Sequence, residues 1–211
     1  MRMDVVRRAS RSVLLLLVCV AMTWSQVSIV WSGDAPSSVT EFSGTLIIRV
    51  NGKTHHAQVY GQADRLRLEY RYAVRTELGL SAIEIIRFDL AERWYILPQQ
   101  KLLLVLPVTD DTPSIRPKFD GETNRIAAGD AMVAGRAARL FNVEVKRNGI
   151  PERFHEWVDA EMGLVLKVVS QDRDWSFEYE RLRFLPQPRV YFEPPPGYHK
   201  RLGGTIQRHG N

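Results

Sequence analysis

The stretch Gly44–Tyr72, "GTLIIRVNGKTHHAQVYGQADRLRLEYRY", decides the fold. Its first run alternates Leu46, Ile48 and Val50 against Thr45, Ile47 and Arg49, the period of two that marks a β-strand. Asn51-Gly52 follows, the pair best suited to a type I′ hairpin turn because both central residues need positive φ. "KTHHAQVYG" is the returning strand. "RLRLEYRY" then sets Leu66, Leu68, Tyr70 and Tyr72 on one face against Arg65, Arg67, Glu69 and Arg71 on the other, so one face is buried and one is wet.

Further strands are predicted downstream at "SAIEIIRFDL", "ERWYIL" and "KLLLVLP", the last two joined by Pro98-Gln99-Gln100. Leu102 to Leu106 is apolar on both faces, so a second layer has to cover it. The segment from Asp110 to about Arg125 is the expected cover, because Asp110-Asp111-Thr112-Pro113 can cap a short helix. Beyond it, "GDAMVAGRAARLFNVEVKRNG" reads as a turn at Gly135 entering a strand, and "DWSFEYERLRFL" as a late strand. Nine or ten strands at hairpin spacing give a large antiparallel sheet, which has to curl or pack on something. The fold class expected is mainly β with minor α (α+β).

The 211 residues, 45% of them hydrophobic, suffice for one domain with its own core. The first 32 residues begin with Arg7, Arg8 and Arg11 and continue into an apolar run from Val13, the order of a secretory signal. Ser25 and Ser32 offer small residues for cleavage. The span from Ser12 to Trp31 also reaches the length of an N-terminal membrane anchor. Export to the periplasm, or to the periplasmic face of the inner membrane, is expected in either case. Residues 33–198 form the domain and residues 199–211 a basic, disordered tail.

The formal charge of +5 comes from the ends. Residues 1–32 hold four Arg and one Asp, and the tail adds Lys200, Arg201 and Arg208, which leaves 22 basic against 23 acidic residues between them. No nucleic-acid-binding surface is indicated. Cys19, the single cysteine, lies in the leading segment, so the domain has no disulfide or thiolate site.

No catalytic pattern stands out. His55 and His56 are adjacent in a strand and point to opposite faces, and no His/carboxylate spacing suits a metal. There is no G-x-S-x-G and no Gly-rich phosphate loop. "FHEWVDAEMGLVLKV", from Phe154 to Val168, carries His155, Glu156, Asp159, Glu161 and Lys167, yet nothing forces its carboxylates to converge. It reads as a hairpin turning between Asp159 and Gly163, with Trp157 facing inward. No catalytic residue, metal or cofactor is expected.

What the strands do present is an excess of inward-alternating apolar side chains. Leu46, Ile48 and Val50 lie on the first strand, and Leu66, Leu68, Tyr70 and Tyr72 on the third. Trp94, Leu104, Trp157 and Phe177 join them from later strands. These are the candidate ligand-binding residues, since a strongly curved sheet can leave an apolar cavity. A solid core is the alternative for the same residues.

The order of "FSGTLIIRV", "RLRLEY", "RWYILPQQKLLLVL", "VAGRAARLFNVEV", "EWVDAEMGLVLKV" and "YFEPPPGY" resembles the periplasmic lipoprotein-carrier superfamily of outer-membrane lipoprotein sorting. It is also similar to the N-terminal domain of the periplasmic regulator of the sigma-E stress response. The resemblance implies an open half-barrel covered by short helices, binding lipid or lipoprotein acyl chains in an apolar cavity. Membrane-associated envelope proteins are the further partners it implies. The chain departs from the pattern before Phe42, which leaves no room for a long lid helix, in lacking a lipobox, and in having no second domain. A sensor or regulatory interaction module with a packed core is the alternative function, and an envelope enzyme a more remote one.

Overall fold

The computed structural model describes residues 41–109, 111–147 and 149–204. The expected signal or anchor, and the last residues of the expected tail, lie outside the described residues.

Twelve strands build one sheet. β1 (Glu41–Val50), β2 (Lys53–Gln62), β3 (Arg65–Thr76), β4 (Gly79–Arg87), β5 (Glu92–Leu97) and β6 (Leu102–Pro107) follow one another as a meander. So do β7 (Glu122–Val133), β8 (Arg136–Arg147), β9 (Ile150–Asp159), β10 (Val165–Ser170) and β11 (Trp175–Phe184). β11 pairs with β1 and joins the two series, and β12 (His199–Leu202) adds to β6 as the single parallel neighbour. β12 and β7 end the order without pairing to each other, so the curved sheet is an open half-barrel. Helix is limited, among the described residues, to two 3₁₀ turns, Pro98–Gln100 and Arg189–Phe192.

The turn chemistry explains the hairpins. Asn51 (φ 50) and Gly52 (φ 72) both occupy the left-handed region that a type I′ turn requires, and Ala134 (φ 54) and Gly135 (φ 75) repeat this between β7 and β8. Gly61 has a different role. It pairs with Phe42, and a Cβ there would lie 2.2 Å from the Phe42 ring. The absent side chain is what lets the buried Phe42 lie flat on β2.

Register fixes the two faces. Leu46 opposes Tyr179, Ile48 opposes Phe177 and Val50 opposes Trp175, and the same face continues through Ala57, Val59, Leu66 and Leu68. This inner face carries the main core, with Phe42, Leu46, Leu66, Leu68, Phe154, Phe177 and Tyr179 all essentially inaccessible.

The β6–β7 connection links strands near opposite ends of the sheet order, so it crosses the inner face as a strap. Phe119 stacks on Phe154 at 4.8 Å, Tyr179 Oη donates to the Ser114 carbonyl (3.1 Å) and Trp175 Nε1 to the Asp111 carbonyl (3.3 Å). Arg116 pairs with Asp64 (2.6 Å) and Arg173 with Asp111 (2.6 Å). The helix expected after Asp110 does not form: residues 111–121 are turns and bends. Pro113 and Pro117 remove helical donors, and the sheet takes up strap carbonyls that a helix would have used.

The outer face holds a second cluster of Ile85, Trp94, Ile96, Leu103 and Val105. This is why β6 is apolar on both sides, and its outer cover is the C-terminal segment. Tyr191 packs edge-on against Tyr60 (5.1 Å), its carbonyl accepts from Arg67 (3.1 Å), and Tyr198 packs on the outer cluster. His199–Leu202, expected within a disordered tail, then pair with Leu102–Val105. The reason is that β6 offers a free edge and Trp94 offers its ring to Lys200, at 4.5 Å.

Candidate ligand-binding groove

On one side of the strap the inner face keeps a partly open pocket of about 460 Å³. β1 contributes Ile48 and Val50, β3 contributes Tyr70 and Val74, β6 contributes Leu106 and Pro107, and β11 contributes Trp175. Ile48, Val50, Tyr70 and Trp175 arrive by strand alternation on the inner face, Leu106 and Pro107 close the end of β6, and Thr109, Asp111 and Pro113 of the strap form the facing wall. Lys53, His55 and Arg75 also line it. A second pocket of about 410 Å³ lies between Asp64, Phe88, Ile115, Phe119 and Phe177, and shares Trp175 and Thr109 with the first.

The deep wall of the first pocket is polar. Glu84, fully buried, accepts from Tyr70 Oη (2.6 Å) and from Arg93 Nε (2.6 Å). Arg93 also donates to Tyr95 Oη (2.6 Å) and to Thr109 Oγ1 (3.3 Å). Burial, reinforced by the Glu84 charge, holds both the Tyr70 and Tyr95 hydroxyls well above the usual tyrosine range. Burial opposes the charge on Arg93, yet Glu84 beside it raises the guanidinium's proton affinity. The four side chains form a neutral network that projects Arg93 and the two hydroxyls toward the pocket.

A second buried carboxylate sits far from this pocket. Glu156 faces inward on β9, ion-paired to Arg125 of β7, which also grips Glu122 at 2.8 and 2.9 Å. Burial pushes the Glu156 carboxyl up to about 7 despite Arg125. Asp159 is likewise paired, with Arg136, and accepts the Glu161 and Met162 amides (3.0 and 2.8 Å). The carboxylates of the Phe154–Val168 hairpin thus serve separate structural contacts. Among the described residues, no group of three or more His, Cys, Asp and Glu side chains is placed to hold a metal ion.

The candidate residues read from the sequence divide into three groups. Ile48, Val50 and Tyr70 line the pocket. Leu46, Leu66, Leu68 and Phe177 are packed into the main core, and Leu104 into a smaller inner cluster with Tyr95 and Leu97. Phe177 also borders the second pocket. The remaining three do not face the groove. Trp94 is on the outer face between Arg87 and Lys200, its Nε1 donating to Glu92 (2.6 Å). Trp157 shares its face with Lys167, its cross-strand partner, whose ammonium lies 5.3 Å from the ring. The expected inward Trp157 is outward because Glu156, with Arg125 to satisfy it, takes the inner face. Tyr72 is 75% exposed, within the stretch between Glu69 and Val74 where the β3–β4 register breaks.

No protein-family model and no curated protein sequence matches the chain. Solved structures do: the crystal structure of MucB superposes with a TM-score of 0.52 at 16% identity, over 74% of this chain and 58% of that one. This chain shares the fold of MucB. The Pseudomonas aeruginosa MucA/MucB complex gives 0.48 at 18% identity over 73% and 55%, so the chain spans little more than half the length of the MucB chains. An outer-membrane lipoprotein-sorting domain from Vibrio parahaemolyticus gives 0.39 at 11% identity, over 72% and 89%. The MucB-like half-barrel is thus the fold that the order of sequence motifs resembled.

Proposed function

We propose that the chain is an exported envelope protein that binds a hydrophobic ligand, a lipid or the acyl chain of a lipidated protein, without catalysing its conversion. The observation that carries this is the pocket of about 460 Å³, whose walls are the aliphatic side chains of Ile48, Val50, Val74 and Leu106 and the Trp175 ring. Its volume lies in the range of about 300–1,000 Å³ usual for small-ligand sites. Each methylene of a chain placed there would contribute about 0.8 kcal/mol by leaving water. The test is fluorescence titration with a dansylated fatty acid, using Val50→Asp as a control. Saturable binding lost in the variant supports the proposal, and absence of binding to the native protein sinks it.

A second reading is a sensor or regulatory module that docks another envelope protein. It is favoured by the strap, which fills the centre of the inner face with Ile115 and Phe119. MucB, of like fold, has been solved in complex with MucA.

A further inference from the structure

The pocket's charged groups are unevenly distributed. Its two acidic neighbours are already engaged: Glu84 by Arg93 and Tyr70, and Asp111 by Arg173. Asp174, beside the β1–β2 turn, accepts the Gly52 amide. Lys53 and Arg75 line the same pocket from β2 and β3, both exposed, and neither makes an ion pair among the described residues. His55 stands between them and the interior, half-buried and edge-on to the Tyr70 ring at 6.4 Å.

The pocket therefore has an apolar side at Ile48, Val50 and Trp175, a neutral polar wall and two cations without an ion pair among the described residues. Its volume of about 460 Å³ is in the lower half of the ligand-site range, and Trp175 and Thr109 form the border with the second pocket. That suits one chain better than several.

We infer that the pocket is built for a single-chain anionic amphiphile, its chain against Ile48, Val50 and Trp175 and its negative head between Lys53 and Arg75. This rests on the proposed ligand-binding function and adds the sign and number of the ligand's parts. A cation at the head position would meet two like charges. A neutral head would leave both cations without a partner.

The test compares 16-carbon ligands below their micelle concentrations: palmitate, neutral monopalmitoylglycerol and cationic hexadecyltrimethylammonium. Butyrate and inorganic phosphate serve as anions without a long chain. Two exposed charge contacts should make palmitate bind roughly three- to tenfold more tightly than the neutral lipid, with the cation weakest. The preference should shrink in 0.5 M salt, where the screening length falls to about 4 Å. Lys53→Glu with Arg75→Glu should reverse the order, and both side chains are exposed, so the fold is expected to persist in circular dichroism. Butyrate and phosphate should bind far more weakly than palmitate. Equal binding of the charged and neutral lipids, unaffected by the double reversal, would overturn the anionic head while leaving the groove as a lipid site. Phosphate binding as tight as palmitate would overturn the amphiphile in favour of a simple anion site. Failure of every long-chain ligand would remove the proposed function beneath it.

Discussion

Replacing Arg93 by Leu should destabilise the domain by about 3–5 kcal/mol, the usual cost of stranding one member of a buried ion pair. The geometry sets the size. Glu84 has no solvent exposure, and Arg93, with Nε at 2.6 Å, is the one cation bonded to it among the described residues. Tyr70 still donates to the carboxylate in the variant, but a neutral hydroxyl replaces none of the lost charge. Glu84→Leu should cost less, about 1–3 kcal/mol, because the Arg93 head lies next to an open pocket where water can reach it. The double variant Glu84→Leu, Arg93→Leu should lie within about 2 kcal/mol of the native protein, since two apolar groups replace the pair together. Urea unfolding at pH 7.5 with a common m value measures all four corners of the cycle. An Arg93→Leu cost below about 1 kcal/mol would refute the reasoning.

Three further outcomes are expected. Glu156, pushed up to about 7 from 4.5, contributes fully below the unfolded pKa and loses about 3 kcal/mol as pH rises through the interval; Glu156→Gln should remove that slope from pH-dependent urea melts. Gly61→Ala should lower stability by about 1–3 kcal/mol in thermal melts, since the new Cβ overlaps a Phe42 ring held between Tyr179 and Phe184. Leu68→Glu should unfold the protein by burying a charge in the core, whereas Val50→Asp should stay folded by circular dichroism and lose ligand uptake.

Strand alternation and turn chemistry made most of the sheet legible before any coordinates. The Leu46–Val50 and Leu66–Tyr70 patterns give the inner face directly, and Asn51-Gly52 gives the first turn. Two kinds of information were not local. Face assignment failed at Trp94 and Trp157, where alternation separates the two faces of a strand without saying which of them is the interior. The deciding contacts were the C-terminal segment over Trp94 and Arg125 reaching Glu156 from β7, both distant in sequence. The polar wall was also missed, though a signal existed. In "SAIEIIRFDL" Glu84 shares its face with Ile86, and in "ERWYIL" Arg93 alternates with Tyr95, so a hairpin between the two runs brings the charges together. The strap could not be read as such, because its course depends on which strands lie at the two ends of the sheet.

Native mass spectrometry of the protein isolated from the cell envelope, with solvent extraction of the same sample, decides whether the groove carries a lipid. An adduct of lipid mass at one copy per chain is expected, displaced by added palmitate and absent from Val50→Asp. Protein recovered free of lipid, and unable to take up palmitate afterwards, would contradict it.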